Sequence, residues 1–293
     1  MPGELMTVKD VAAYLRLGER KVYDLLARRE IPAMRVAGKW LFARSQIDLW
    51  LAEHAEGPAA GSRAAPPDIL AGSHDPLLEW AVRQAGTGLA TLNEGSLAGL
   101  ERVAARGAIA CGLHVLDAAS GGYNLPLVRA RLAARPLVLI HWARRRQGLV
   151  VAAGNPMGVR GIADLPRLRL AMRQKEAGSY VLLHHLLGQA GLPSSVLLPA
   201  GPPLHTETEV AQAVADGRAD AGLAVAAVAR LLRLDFVPLV EERFDLLVWR
   251  RAFFEAPFQK LLAFARTSAL TERATALGGY DVEELGTVLW NGR

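Results

Sequence analysis

Apolar residues near the start of the chain follow a helical period, then a strand period, then a helical one again. Val8, Val11, Ala12 and Leu15 fall on one face of a helix. Thr7 stands before them and Asp10 three residues on, a capping-box spacing that starts the helix at Val8. A break at Leu17-Gly18 precedes a second helix, from about Glu19 to Arg29, with Val22, Leu25 and Leu26 facing inward. Pro32 stops it, because proline cannot extend the hydrogen-bond ladder. Two short extended runs, Met34–Val36 and Trp40–Phe42, join through Ala37-Gly38-Lys39, where glycine supplies the freedom a tight hairpin needs. Ser45 with Asp48 is expected to cap a third helix carrying Ile47, Leu49, Trp50 and Leu51.

The stretch from His54 to Pro67 is rich in Ala, Gly and Pro, has no period, and reads as a linker. From Asp68 onward short apolar runs alternate with amphipathic stretches, the pattern of an α/β domain with a mainly parallel sheet. Leu137–Trp142 and Leu149–Ala152 read as separate strands, as do Phe236–Leu239 and Phe244–Trp249. The Arg144-Arg145-Arg146 run between the first two reads as a solvated connector.

Ligands in such sheets sit beyond the carboxyl ends of strands, where helices begin. At the first such junction Asp75 suits a helix cap and Pro76 the first helical position, leaving Ser73 and His74 in the loop. The later junctions carry Gly95 and Ser96, then Tyr123 and Asn124, then Arg173, Gln174, Ser179 and Tyr180, then Thr206 and Glu207. Ser96 and Ser179 can be ordinary N-caps, or they can turn helix N-termini toward an anion. Their recurrence at matching junctions favours a shared pocket, with Arg173 completing the neutralisation.

Composition narrows the class. The chain has 293 residues, 51% of them hydrophobic, which suits about two domains. A net charge of +5 permits contact with nucleic acid. The single Cys111 excludes an internal disulfide and fits a reducing compartment. No secretion signal or bilayer-spanning run is visible, so a cytoplasmic protein with no membrane partner is expected. The metal, phosphate-loop and hydrolase signatures HExxH, paired CxxC, Walker glycine loop and GxSxG are absent, so no catalytic residue, metal or cofactor is assigned and an enzyme is not expected. The adjacent His184-His185 pair points about 100° apart on a helix and reads as helix surface.

Helix, turn, helix, hairpin and helix form a winged helix-turn-helix plan. Its second helix presents Arg20, Lys21, Tyr23 and Arg28 to a DNA groove, while Arg35, Lys39 and Arg44 lie in or beside the hairpin, near phosphates. A protein–protein module with solvated charges is the other reading. The runs Thr7–Leu15, Val22–Leu26, Ile31-Pro32-Ala33 and Gly38-Lys39-Trp40 resemble the excisionase/MerR-type helix-turn-helix family.

Further on, Ala71–Pro76, Gly95–Leu100, Tyr123–Pro126, Arg146–Leu149, Gly154-Asn155-Pro156, Gly217–Gly222 and Asp235–Leu239 resemble the periplasmic-binding-protein-like domain, of the molybdate- and tungstate-binding type, that is often fused to such a head. The resemblance implies a winged helix-turn-helix over residues 1–53, a linker over 54–67, and a two-lobed sensor over 68–293 that closes on a small solute. Molybdate, tungstate or another anion is the ligand it suggests. Lys175–Tyr180 departs from the family's Gly-Ser-Gly-Thr-Arg-like run, and Glu176 with Glu207 suits an organic or zwitterionic ligand better. The function so implied is a homodimeric regulator that binds double-stranded operator DNA under control of a small-molecule or oxyanion effector. The alternatives are a molybdopterin-related ligand-binding module or enzyme without operator binding, and a recombination or nucleoid accessory protein.

Overall fold

A computed structural model describes residues 5–54 and 65–292. The chain divides into two compact units, Met1–Ala65 and Pro66–Arg293. Residues 55–64, most of the stretch read as a linker, lie outside the described residues.

The first unit runs β1 (Leu5–Thr7), α1 (Val8–Leu15), α2 (Glu19–Ala27), β2 (Met34–Val36), β3 (Lys39–Ala43) and α3 (Arg44–His54). The capping box forms as expected. Thr7 Oγ1 accepts from Asp10 N at 3.3 Å, and the Asp10 carboxylate accepts from Thr7 N at 2.9 Å. Val11, Val22, Phe42 and Ile47 are fully buried and form the centre of a small core. Two expectations need correction. α3 begins at Arg44, so Ser45 lies inside it, and the Asp48 carboxylate accepts from the Tyr14 hydroxyl at 2.6 Å. β1, which pairs antiparallel with β3, was not anticipated, because three residues are too few to show alternation.

In the second unit, β4 (Ile69–Gly72), α4 (Pro76–Gln84), β5 (Ala90–Asn93), α5 (Ser96–Ala104), β6 (Ala110–Leu113) and α6 (Leu125–Leu132) lead into the long strand β7 (Leu137–Val151). Then come β8 (Arg169–Ala171), α7 (Gly178–Gln189), β9 (Leu198–Pro199), α8 (Glu207–Ala215), β10 (Ala221–Val225) and α9 (Ala226–Leu231). A second long strand, β11 (Asp235–Trp249), returns the chain to α10 (Arg250–Phe253), α11 (Ala256–Ala265), α12 (Ser268–Leu277), β12 (Tyr280–Asp281) and β13 (Val288–Asn291).

The sheet order is β5-β4-β6-β11-β7-β10-β8-β9, with β12 and β13 also on β7. The pairs β4–β5, β4–β6, β8–β9 and β8–β10 are parallel, whereas β7 and β11 run antiparallel to each other and to their neighbours. The sheet is therefore mixed rather than mainly parallel, and each expected pair of short strands is one strand of 15 residues. Two of the charges that seemed to interrupt them meet opposite charges across the ladder, Glu241 facing Arg146 and Glu242 facing Arg145; Arg243 faces Arg144, whose guanidinium pairs instead with Glu284 at 3.1 Å.

These two strands carry the chain between two apolar clusters. One is built on Leu70, Val103, Leu139 and Phe244, the other on Leu149, Leu165, Leu170 and Leu223. Trp142, Trp249 and Cys111 are buried in the first. The unit is thus two-lobed, with β7 and β11 shared. A register shift between Phe244 and Asp245 marks the crossing, where a bulge adds local twist.

Candidate functional site

The crossing strands place a polar cluster inside the second unit. Asp75 caps α4 by accepting from Leu78 N at 2.7 Å. Its second oxygen accepts from Arg145 Nη1 at 2.9 Å and from the Tyr280 hydroxyl at 2.7 Å. Arg145 also donates to Glu242, from Nε at 3.0 Å and from Nη2. Its guanidinium lies 4.4 Å from the Phe244 ring centre. The other oxygen of Glu242 meets His114 Nδ1 at 2.9 Å. Gln147 Nε2 donates to Glu207 at 3.0 Å and approaches Glu242 at 3.4 Å, and the Val225 amide donates to Glu207 at 2.8 Å.

All of these charged side chains are buried, so each must be compensated locally. Burial disfavours the charged Arg145, yet Glu242, Asp75 and Glu207 outweigh it and hold the guanidinium above its ordinary range. Burial likewise pushes Glu242 up, and Arg145 and His114 bring it below the usual carboxylate value. The Tyr280 phenol is raised by burial and by Asp75, and the Tyr123 phenol by burial and by Glu242. The Arg144-Arg145-Arg146 run is therefore no solvated connector: Ala143, Arg145 and Gln147 share the buried face of β7.

The helix-start turns of the two lobes meet beside this cluster. Ser73 Oγ and Ser96 Oγ are 2.9 Å apart, and Ser96 Oγ accepts from His114 N at 3.1 Å. Leu97 N donates to Glu176 O at 2.9 Å, and Gln174 Nε2 to Glu94 O at 3.2 Å. The contact leaves no space for side chains. A Cβ on Gly178 would lie 2.4 Å from the His114 carbonyl oxygen, and one on Gly95 2.9 Å from that of Glu176. Gly95 also has φ +93°, a conformation that other residues rarely adopt.

The serines are not caps. α5 is capped at Gly95 and α7 at Ala177, neither through a side chain. Ser96 is committed to Ser73 and His114, whereas Ser179 Oγ is buried without a hydrogen-bond partner. His114 Nε2 and Gln147 Oε1 are buried and unpartnered too.

Other expected residues take structural positions. Arg173 donates from Nε to Leu204 O and Gln174 Oε1 and from Nη2 to His205 O, so much of its donor capacity goes to the protein rather than to an anion. Asn124 links Val115 N to Asp245, at 2.7 Å each, and Asp245 reaches His141 Nδ1 at 2.8 Å. Thr206 forms a capping box with Glu209. Tyr180 packs on His184, 4.2 Å between ring centres, and His184 bonds Ser194 at 2.8 Å. His74 bonds Glu79 at 2.9 Å and borders a void of about 10 Å³ with Ser73, Asp75 and Asn93, too small for a solute. Sequence reasoning missed His114, Arg145, Gln147, Glu242 and Tyr280. The signal it passed over was polar residues two apart on a strand, at 145 and 147.

In the first unit Arg20, Lys21, Tyr23, Arg28, Arg35, Lys39 and Arg44 are all exposed. A groove of about 480 Å³ brings together Tyr23 of α2, Arg35 and Lys39 of the hairpin, Trp40 and Lys9. Arg35 lies over the Trp40 ring at 5.5 Å, and Arg44 over Tyr14 at 5.0 Å. Arg20, Lys21, Arg28 and Arg44 lie outside that lining. Among the described residues no group of three or more His, Cys, Asp or Glu side chains is placed to hold a metal, and no helix is long and apolar enough to cross a membrane.

A helix-turn-helix domain model matches residues 5–55, and a PBP superfamily domain model matches residues 78–266. The Bacillus subtilis (strain 168) protein described as uncharacterized protein YvgK is 25% identical over 300 residues, covering 97% of each chain. A putative phosphate ABC transporter substrate-binding protein from Clostridium perfringens, solved with bound phosphate, superposes at TM-score 0.54 and 10% identity over 75% of this chain and 98% of its own. The sulfate-binding protein SubI from Mycobacterium tuberculosis H37Rv does so at TM-score 0.50 and 14% identity over 74% and 86%. At such identities the likeness is one of fold. With a two-lobed α/β unit crossed by two shared strands, preceded by an excisionase-like helix-turn-helix domain, the chain belongs to the PBP superfamily.

Proposed function

We propose that the chain is a ligand-responsive DNA-binding transcriptional regulator of the cytoplasm, acting as a homodimer. The observation that carries this reading is the meeting of two lobes over buried polar atoms that lack partners, in a chain that also has an exposed basic helix-turn-helix. A small solute that satisfies those atoms stabilises the closed lobes. In a dimer, closure changes the spacing of the two heads and so their affinity for paired half-sites. The ligand acts only through its preference for one lobe arrangement, because equal affinity for both shifts nothing.

On the DNA side, Tyr23, with Arg20 and Lys21 near the start of α2, is assigned to the major groove. Arg28, Arg35, Lys39 and Arg44 are assigned to phosphates. The test is selection of bound duplexes from a random-sequence pool by the full chain, then anisotropy titration of the selected duplex with and without candidate solutes. A saturable sequence preference whose affinity moves with a solute supports the reading. DNA affinity without sequence preference, unmoved by any solute that binds, refutes it.

A further inference from the structure

Resting on that regulator reading, we infer that the outer face of the three-stranded sheet in the first unit is where two copies of the chain meet on DNA. Side chains alternate across a strand, and paired residues of neighbouring strands share a face. In the order β1-β3-β2, Met6, Phe42 and Trp40 therefore point toward the helices and are buried or half-buried. The opposite face carries Leu5 beside Ala43, then Thr7, Leu41 and Met34 in one row, then Lys39 beside Val36. The water side of an antiparallel sheet is ordinarily polar. This one is apolar, and Leu5, Met34 and Val36 are 54%, 43% and 51% exposed. Thr7 is its one uncharged polar member, and that hydroxyl is already bonded to Asp10 at 2.7 Å. A contiguous exposed apolar patch marks an interaction site.

Size and charge both select a second copy as the occupant. A stable interface takes about 20–30 residues from each side. This face offers seven, too few to hold a partner drawn from free solution. It suffices for a neighbour already held alongside, and on the regulator reading that neighbour is the head on the adjacent half-site. Lys39, at the hairpin turn, is the only ionisable one of the seven, so nothing on the face selects a charged partner. Two copies packed face to face about a two-fold axis across the strands bring each Lys39 over the Ala43 end of the other. Lys39 and Ala43 are the two ends of β3, about 13 Å apart at ~3.3 Å per residue. That exceeds the Debye length of about 8 Å at physiological salt, so the two lysines do not oppose the contact. Both stay at the rim, free for phosphate.

The test uses the full chain on duplexes of about 12 and 24 base pairs, room for one head and for two at roughly 10 base pairs per half-site. They carry the sequence selected above or, where none is selected, a mixed sequence. Met34→Cys places a thiol on the face, whereas the native Cys111 is buried. A short bismaleimide should join two copies on the longer duplex and not on the shorter one. The neutral pair Met34→Gln and Val36→Thr, with the fold intact by circular dichroism, should leave affinity for the shorter duplex unchanged. On the longer duplex the pair should lose roughly tenfold, the advantage that a weak contact draws from a shared support. Equal cross-linking on both duplexes, or none on either, overturns the contact. So does an affinity change that is the same on both, zero included. Protection of the Met34→Cys thiol from a monofunctional maleimide in the free chain means that the second unit covers the face, and also overturns it. In each of those cases a sequence preference that moves with a solute still upholds the regulator reading.

Discussion

Replacing Arg145 by Met should be among the most damaging single changes in the second unit. The side chain is fully shielded from solvent and bridges Asp75 and Glu242, with Nη1 2.9 Å from the first and Nε 3.0 Å from the second. Methionine fills much of the volume but leaves two buried carboxylates without their cation. Removing one partner of a buried ion pair costs about 3–5 kcal/mol, because the other charge stays behind. In a unit of this size that corresponds to a fall in melting temperature of roughly 6–20 °C.

The pH dependence has a definite sign. Glu242 sits below its ordinary value because Arg145 and His114 outweigh burial, so its contribution is present above the unfolded-state value and is lost as pH falls through the folded one. Without Arg145, burial dominates, Glu242 rises above its unfolded value, and the relation reverses. The deficit of Arg145→Met relative to wild type should therefore be larger at about pH 8 than at about pH 5. Urea unfolding at both values, followed by tryptophan fluorescence, to which the buried Trp142 and Trp249 of the second unit contribute, measures it. A loss under about 1 kcal/mol that is the same at both pH values would mean the cluster is solvated, and the account of the site built on it would fail.

Gly178→Ala should destabilise the closed arrangement by about 1–3 kcal/mol, since its Cβ would stand 2.4 Å from a backbone oxygen. A larger radius of gyration in solution scattering checks it. Ser179→Ala removes a buried hydroxyl without a partner and should stabilise the solute-free protein by about 1 kcal/mol, seen as a higher denaturant midpoint at unchanged slope. Thr7→Ala breaks the capping box of α1 and should cost the first unit about 1 kcal/mol in thermal unfolding. Arg35→Ala and Lys39→Ala should each lower the slope of log affinity against log salt by about one, with little change in sequence preference.

What could be read from the sequence was what local chemistry decides. Thr7 with Asp10, and Asp75 with Pro76, announce helix starts because the cap and its partner lie within one turn. In the first unit the order from α1 to α3 follows from apolar period together with the cap at Thr7 and the breaks at Gly18, Pro32 and Gly38, whereas β1 leaves no period to read. The heart of the candidate site escaped notice because its partners are distant: Arg145 and Glu242 are 97 positions apart, and Tyr280 and Asp75 are 205. A run of three arginines reads as solvated until an opposing strand supplies its carboxylates. Of the two roles the sequence leaves open for Ser96 and Ser179, the structure removes the cap, since Gly95 and Ala177 take the capping positions.

The reach of Tyr280 has a consequence for biosynthesis. The hydroxyl that holds Asp75 belongs to a segment that, with β13, zips onto the middle of the chain at β7. A nascent chain in which residues 280–291 have not yet left the ribosome has neither this phenol nor that outer strand, although every other member of the polar cluster is already made. Completion of the second unit therefore waits on those residues, whereas the helix-turn-helix, finished by residue 54, is free to fold while synthesis continues.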